Sequence, residues 1–235
     1  MGTYAAVVLA GGAARRMGGL DKPALPVAGR PMRDRVLAAV SDATPRVLVG
    51  AAAAVPAGVR VVREDPPGGG PVAAAAAGLA LLDPDVRVVA LLAADLPLLT
   101  RAAVGELLTH LDRETPDTAP PGDSGSAPAP PGDSGSAPAP PARSGLDGEP
   151  GPDGVCFVDG DGRRQSLCGV WRVAALRAAV HRLTVERGGS LSGAPVRALL
   201  AGLVVREVAW SGEGPPPWFD CDTDEDVRRA EEWAR

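Results

Sequence analysis

The sequence predicts an α/β protein built on a doubly wound, mostly parallel β-sheet. Short apolar runs rich in Val, Leu and Ala alternate with helical patterns along the chain, and this alternation is typical of strand–helix–strand units. Within the runs the apolar residues stand in blocks rather than at every second position, which indicates parallel strands covered on both faces. We therefore expect a sheet with helices packed on each side.

The first half of the chain supplies most of this pattern. Strands are expected at residues 4–9, 46–50, 59–63 and 86–93. Helices are expected at residues 31–40, at 72–82, and from the predicted N-cap Thr100 to residue 111.

The second half predicts a β-hairpin, two helices and short strands. A turn at 159–162 joins strands 155–158 and 163–171, and helices follow at 174–183 and 195–203. Short strands are expected at 204–209 and 218–221. A capping box from Thr223 to Asp226 predicts the start of the last helix, which runs to residue 233.

Residues 115–154 interrupt the α/β pattern. The decapeptide PPGDSGSAPA occurs at 120–129 and again at 130–139. The segment has almost no apolar side chains whose burial could offset the entropy lost on ordering. We therefore expect a disordered surface insertion without a catalytic role. The whole chain, residues 1–235, is predicted to form one domain that contains this insertion. Because Pro-rich segments dock into aromatic grooves, an interaction role for the repeat stays open.

The composition favours small-molecule chemistry. The net charge of −5 argues against a nucleic-acid surface, and no apolar run approaches the ~20 residues of a membrane span. The N-terminus lacks the charged start of a signal peptide, which predicts a cytoplasmic protein. Only two histidines are present, and both lie in helical patterns. This argues against a His-rich metal site and against a serine-type catalytic triad. The three cysteines lack metal-ligand spacing and are predicted to be small buried residues: Cys156, Cys168 and Cys221.

The most informative stretch is LAGGAARRMGGLDKPALPVAGRPM, residues 9–32. Gly11 and Gly12 follow the first strand, where they let the backbone turn and bring its N–H groups against an anion. Arg16 and Lys22 add positive charge, so the stretch predicts a cradle for a triphosphate. It is neither a Walker loop nor a GxGxxG loop. The alternative is a glycine-rich connection with two solvated bases.

This stretch resembles the signature of the molybdenum cofactor guanylyltransferase family, within the nucleotidyltransferases that have a Rossmann-like nucleotide-diphospho-sugar-transferase fold. The shared pattern is Leu-Ala-Gly-Gly-x3-Arg-Met-Gly-x2-Asp-Lys followed by Leu-Pro-Val-x-Gly-Arg-Pro-Met, and the resemblance covers most of the chain outside the insertion. It implies an enzyme that transfers GMP from GTP to the phosphate of a molybdopterin-type cofactor and releases pyrophosphate, with Mg²⁺ as cofactor. It also implies nucleotide contacts at the base and phosphates by Leu9, Ala10, Gly11, Gly12, Arg16 and Lys22. Arg16 and Lys22 would act on the phosphates in catalysis, and a glycine rather than an alanine at position 11 favours guanine over cytosine.

A carboxylate pair precedes the glycine turn at 68–70. A carboxylate at a strand end beside such a turn can accept hydrogen bonds from a base or a ribose. The resembling family places Asp65 beside the nucleotide. A solvated acidic pair, Glu64 and Asp65, is the alternative.

Two further carboxylates are the predicted metal ligands. Asp95 follows strand 86–93 and is expected at the carboxyl edge of the sheet, where open α/β sheets bind ligands and where the resembling enzymes carry a metal-binding aspartate. Asp95 is therefore also a predicted nucleotide contact and catalytic residue. Asp220 and Asp222 are expected on one face of a strand. The family usually has Asn at both positions and Pro at the position of Asp224. Because Asp keeps a hard oxygen ligand, Asp222 is the second predicted Mg²⁺ ligand, and capping of the last helix is the alternative, above all for Asp220.

Several alternatives stay open. A cytidylyltransferase for the same cofactor, or a guanylyltransferase for another phosphorylated small molecule, would keep the reaction type. A non-catalytic nucleotide-binding regulatory protein is the alternative from another class. Gln165 has a weak predicted role in binding the acceptor. Expected partners are the two substrates, with no nucleic acid and no membrane, and with transient contacts to cofactor-insertion proteins or molybdoenzymes; the oligomeric state is open.

Overall fold

A computed structural model of the chain describes residues 3–11, 22–51, 55–113 and 151–235. Its main feature is a seven-stranded sheet with the strand order β5-β4-β1-β6-β8-β7-β9. The strands are β1 (Ala5–Leu9), β4 (Arg46–Val49), β5 (Val59–Val62), β6 (Val88–Ala93), β7 (Gly154–Val158), β8 (Arg164–Arg172) and β9 (Val205–Ala209). A separate two-stranded hairpin consists of β2 (Pro26–Val27) and β3 (Arg30–Pro31).

The sheet is mostly parallel, as predicted. β5, β4, β1 and β6 run in one direction, and β8 is antiparallel to both of its neighbours, β6 and β7. β9 then pairs with β7 in parallel. The sequence prediction of a hairpin around residues 159–162 is therefore confirmed, and the doubly wound α/β fold with it.

Helices cover both faces. They are α1 (Met32–Ala39), α2 (Pro71–Ala80), α3 (Arg101–Asp112), α4 (Val173–Glu186), α5 (Val196–Leu199) and α6 (Asp224–Trp233). Successive side chains of a strand point to opposite faces. In β1, Ala6 and Val8 pack with α1 and α3, whereas Val7 and Leu9 pack with α2 and α4. None of the helices in these ranges has the length and apolar character of a membrane span.

Local capping signals fix two helix starts. The side chain of Thr100 accepts a hydrogen bond from the backbone of Ala103, as expected for an N-cap. Thr223 and Asp226 exchange the two bonds of a capping box at the start of α6. Both predictions from the sequence are confirmed.

Three other predictions were wrong. Residues 218–221 form no strand, because the backbone N–H of Cys221 bonds to the carbonyl of Asp95 and no ladder follows. The helix predicted at 195–203 shortens to α5, after which the chain turns through Gly202, whose φ is +82°. The strand at 59–63 is not covered on both faces: β5 lies at the edge of the sheet, and Val61 is 44% exposed.

The predicted insertion at 115–154 falls almost entirely outside the described residues. Only residues 151–154 of it are described, and Gly154 already belongs to β7. That glycine packs against the buried ring of Trp171, and the ring leaves no room for a Cβ at this position. Residue 154 therefore belongs to the sheet and not to the predicted insertion.

Candidate nucleotide and metal site

The carboxyl ends of the parallel strands meet at one edge of the sheet. There the backbone N–H of Ala10 donates to the carbonyl of Val49 at 2.7 Å, and the N–H of Ala94 donates to the carbonyl of Leu9 at 3.0 Å. These bonds hold the start of the first loop between β4 and β6. Leu9 is buried, Ala10 is partly buried and Gly11 is exposed. Gly12 and Arg16, which the sequence assigns to phosphate binding, lie outside the described residues.

Gly50, at the end of β4, allows this close packing. Its φ is +142°, in the range that favours glycine. A Cβ at Gly50 would lie 2.9 Å from the carbonyl carbon of Ala10 and 3.1 Å from the nitrogen of Gly11. The glycine therefore positions the first loop, although no role was predicted for it; its place at the end of a strand, opposite another glycine, was the available signal.

Lys22 connects two of the predicted carboxylates. Its Nζ donates to Oδ2 of Asp95 at 2.6 Å and to Oδ1 of Asp222 at 2.7 Å. The three residues are far apart in sequence, yet the structure brings them together at the edge where Asp95 was predicted. The lysine begins a short 3₁₀ turn, Lys22–Ala24, just before the β2–β3 hairpin.

A small apolar core holds this Lys22–Asp95–Asp222 cluster in place. It joins the hairpin, the segment after Asp95 and helix α6 through five buried residues: Val27, Met32, Leu98, Cys221 and Ala230. The backbone bond from Cys221 to the carbonyl of Asp95, at 3.3 Å, ties the two aspartate segments directly. Arg35 of α1 braces the same region, because its Nε donates to the carbonyl of Pro97 at 2.8 Å.

The charges of the cluster affect its protonation. Burial disfavours the charged form of Lys22, but the hydrogen bonds to Asp222 and Asp95 outweigh it and raise the pKa of the ammonium above its usual value. Burial raises the pKa of Asp220, and the negative charges of Asp222 and Asp95 raise it further. Lys22 is therefore a firmly charged counter-ion for two carboxylates.

Asp220 and Asp222 are placed by a loop and not by the predicted strand. The cap of α6 is supplied by Thr223 and Asp226, so the alternative role of these aspartates as helix caps is wrong. Asp222, whose side chain is 53% exposed, turns to Lys22. Asp222 and Asp95 therefore meet at Lys22, as two predicted ligands of one cation, without the alternating side-chain directions of a strand at 218–221.

The donor set at this edge suits a hard cation. One ammonium lies within hydrogen-bond distance of both Asp95 and Asp222, so their oxygens converge on a single cationic centre. Carboxylate oxygens are ligands that Mg²⁺ prefers, together with water and phosphate oxygens. Across the described ranges, no group of three or more His, Cys, Asp and Glu residues is placed to hold a metal. Water and phosphate oxygens are the further ligands that a metal bound here would take.

The predicted acidic pair after β5 divides into one buried and one exposed residue. Asp65 is exposed, whereas Glu64 is only 8% exposed and accepts a hydrogen bond from the backbone N–H of Gly68 at 3.0 Å. A Cβ at Gly11 would lie 3.1 Å from Oε1 of Glu64. Of the pair, Glu64 is the one that lies against the first loop, and the sequence contains no signal that separates it from its neighbour.

The remaining predicted residues have local roles. Gln165 donates to Oδ2 of Asp159 at 3.0 Å, inside the β7–β8 hairpin. The three cysteines are buried free thiols, as predicted. Burial raises the pKa of Cys221 to about 12, so the cysteine next to the cluster stays protonated at neutral pH.

The architecture is the nucleotide-diphospho-sugar-transferase fold. Solved structures that share it include the following two. Molybdopterin-guanine dinucleotide biosynthesis protein A from Archaeoglobus fulgidus is 17% identical, with a TM-score of 0.60 and 97% of each chain covered. The 2-C-methyl-D-erythritol 4-phosphate cytidylyltransferase from Thermus thermophilus is 18% identical, with a TM-score of 0.61, covering 99% of this chain and 98% of that one.

The chain belongs to the MobA-like NTP transferase family. The family model described as "MobA-like NTP transferase domain" matches residues 6–203. The family expected from the resemblance in the first loop is therefore confirmed, and with it the class of nucleotidyltransferase enzymes. No curated protein matches the sequence.

Proposed function

We propose that the chain transfers a GMP group from GTP to the phosphate of a molybdopterin-type cofactor and releases pyrophosphate. The observation that carries the proposal is the Lys22–Asp95–Asp222 cluster at the carboxyl edge of the sheet, two residues of which lie outside the loop that resembles the guanylyltransferase signature. One of the similar folds belongs to a protein named for molybdopterin-guanine dinucleotide biosynthesis, which supports the choice of substrates. The proposal treats residues 1–235 as one cytoplasmic nucleotidyltransferase domain.

The nucleotide is proposed to lie across the first loop. Leu9, Ala10 and Gly11 are at the edge where open α/β sheets bind ligands, and Asp65 is in the neighbouring loop. Gly12 and Arg16 join this set from the resemblance alone. Backbone N–H groups and cationic side chains would together bind the triphosphate.

Asp95 and Asp222 would hold Mg²⁺, because their oxygens already converge on one cation. When bound, the metal supplies positive charge to the phosphate oxygens. With the carboxylates engaged by the metal, Lys22 would be free to neutralise the phosphates together with Arg16. Both side chains are therefore proposed to be catalytic.

The chemistry needs positioning more than acid–base groups. An oxygen of the acceptor phosphate attacks the α-phosphorus of GTP, and a new phosphorus–oxygen bond forms. The bond from the α-phosphorus to the oxygen that leads to the β-phosphate breaks, and pyrophosphate leaves with that electron pair. Because a phosphate monoester is already an anion, charge neutralisation and orientation carry most of the rate.

Replacing Asp95 tests the proposal. Asp95→Ala should lower pyrophosphate release by at least ~100-fold while the circular dichroism spectrum stays that of the folded protein. Asp83→Ala is the matched control, because Asp83 is an exposed aspartate before β6, at the other end of that strand. Activity of Asp95→Ala within a few-fold of wild type contradicts the metal role of Asp95.

Transfer of CMP is the second candidate. It is favoured by one observation: the cytidylyltransferase from Thermus thermophilus has the same fold over nearly the whole chain. Competition between GTP and CTP in the presence of Mg²⁺ separates the two activities. Tighter binding of CTP would transfer the proposal to cytidine nucleotides.

A further inference from the structure

Glu64 is a buried carboxylate that the proposed reaction does not use. Among the charged residues that the structure describes, only Glu64 and Arg33 are buried. Burial of Glu64 is unexpected, because it follows the edge strand β5 and both of its neighbours, Arg63 and Asp65, are exposed. Moving a charged group out of water costs free energy, so the presence of a glutamate at this buried position needs a reason.

The carboxylate lies directly beside the first loop. Oε1 of Glu64 is 3.1 Å, and Oε2 is 3.6 Å, from the position that a Cβ at Gly11 would take. Oε1 also accepts the N–H of Gly68, which fixes the orientation of the side chain. Among the described residues, Gly68 is the donor bonded to this carboxylate, and the two oxygens of a carboxylate can accept several hydrogen bonds.

The nucleobases differ in what they offer to such a group. An ionised carboxylate only accepts hydrogen bonds. Guanine presents two neighbouring donors, N1–H and the N2 amino group, on one edge. Cytosine presents one amino donor beside the ring nitrogen N3, whose lone pair a carboxylate repels. A fixed carboxylate therefore favours guanine.

We propose that Glu64 selects guanine by accepting hydrogen bonds from N1–H and N2–H of the base. This inference rests on the proposed function, because it needs the nucleotide to lie on the first loop. It also gives a physical reason for glycine at position 11. A side chain there would come within 3.1 Å of Oε1 and would stand between the carboxylate and the base.

The test compares GTP with inosine triphosphate, which lacks the N2 amino group, and with CTP. Calorimetric titrations with Mg²⁺, which also include 2′-deoxy-GTP, measure the affinities of wild type, Glu64→Gln and Glu232→Gln for each nucleotide. Wild type should bind GTP about 10-fold more tightly than inosine triphosphate, the ratio expected for one hydrogen bond to a charged acceptor. In Glu64→Gln this ratio should fall to about 1.

Glutamine keeps the size of the side chain and one oxygen for the N–H of Gly68. Its amide nitrogen then turns toward the donors of guanine, so GTP should lose about 10-fold or more in affinity. Glu232→Gln, the same change at an exposed glutamate of α6, should leave the ratio of GTP to inosine triphosphate as in wild type.

Three results would overturn the inference. Equal losses for GTP, inosine triphosphate and CTP in Glu64→Gln would mean that Glu64 only holds the loop. An unchanged ratio of GTP to inosine triphosphate would place guanine recognition elsewhere. A change confined to the preference for GTP over 2′-deoxy-GTP would make the residue a ribose contact. If wild type binds none of these nucleotides, the proposed function fails as well, which distinguishes the two failures.

Discussion

Gly50→Ala should weaken nucleotide binding, although residue 50 is not one of the proposed nucleotide contacts. The added methyl group would lie 2.9 Å from the carbonyl carbon of Ala10, about 0.6 Å short of an ordinary contact of ~3.5 Å. The nearest atoms, in Ala10 and Gly11, belong to the backbone, which cannot rotate away as a side chain can. The start of the first loop must therefore move.

The size of the effect follows from two contributions. A non-glycine residue held at a φ of +142° costs about 1–3 kcal/mol of folding free energy. Displacement of a binding element by ~1 Å can cost about 100-fold in catalytic rate. For a shift of about half that size we expect a loss of about 10-fold in GTP affinity and somewhat more in kcat/KM.

The assay pairs chemical denaturation with calorimetric titration of GTP and Mg²⁺. Gly202→Ala is the matched control: its φ is +82°, it lies in the turn before β9, and in the described structure no atom is within 4 Å of the added Cβ. That variant should lose folding free energy and keep its GTP affinity. Unchanged GTP affinity in Gly50→Ala, or an equal loss in Gly202→Ala, would refute the reasoning.

Three further predictions concern stability and reactivity. Thr223→Ala removes the hydrogen bond that the Thr223 hydroxyl accepts from the N–H of Asp226 and the one it donates to the Asp226 carboxylate, and it should lower the free energy of unfolding by about 1 kcal/mol in urea denaturation, whereas Asp224→Asn should change it far less. Burial and the hydrogen bond from Tyr4 to Asp42 raise the pKa of the Tyr4 hydroxyl. Tyr4 therefore contributes its full stabilisation below the ordinary tyrosine pKa near ~10, and this stabilisation is lost as the pH rises through the raised pKa. Tyr4→Phe should therefore lower stability by about 1 kcal/mol at pH ~7 and reduce the alkaline loss of stability; an alkaline limb as steep as that of wild type contradicts this. The buried cysteines should resist a thiol reagent at pH ~8 until the protein is unfolded, and fast labelling of the native protein would show that the described burial is wrong.

Much of the fold followed from local sequence signals. Thr100 and the pair Thr223 and Asp226 act through neighbouring backbone groups, so their capping could be predicted without knowledge of the tertiary structure. The blocks of Val and Leu in β1 and β6 are also a local signal. They correctly predicted strands that are buried on both faces, as central strands of such a sheet are. Position within the sheet is not local: β5 carries a similar block, but it lies at the edge and Val61 is exposed.

The site depended on contacts that the sequence does not show. Asp95 was predicted from its place after a strand, but its contact with Lys22 spans 73 positions, and that of Lys22 with Asp222 spans 200. Both arise from the apolar core beneath the hairpin and α6, which forms only in the folded chain. The burial of Glu64 likewise depends on how the loop after β5 packs against Gly11, and no pattern in the sequence distinguishes it from Asp65.

Titration calorimetry with GTP, with and without Mg²⁺, tests the central claim most directly. If the first loop and the Lys22–Asp95–Asp222 cluster bind a metal–triphosphate, wild type should bind GTP, and Mg²⁺ should tighten the binding. In Asp95→Ala, Mg²⁺ should no longer tighten it. Absence of binding to any nucleoside triphosphate in the presence of Mg²⁺, or an equal effect of Mg²⁺ on both proteins, would contradict the account.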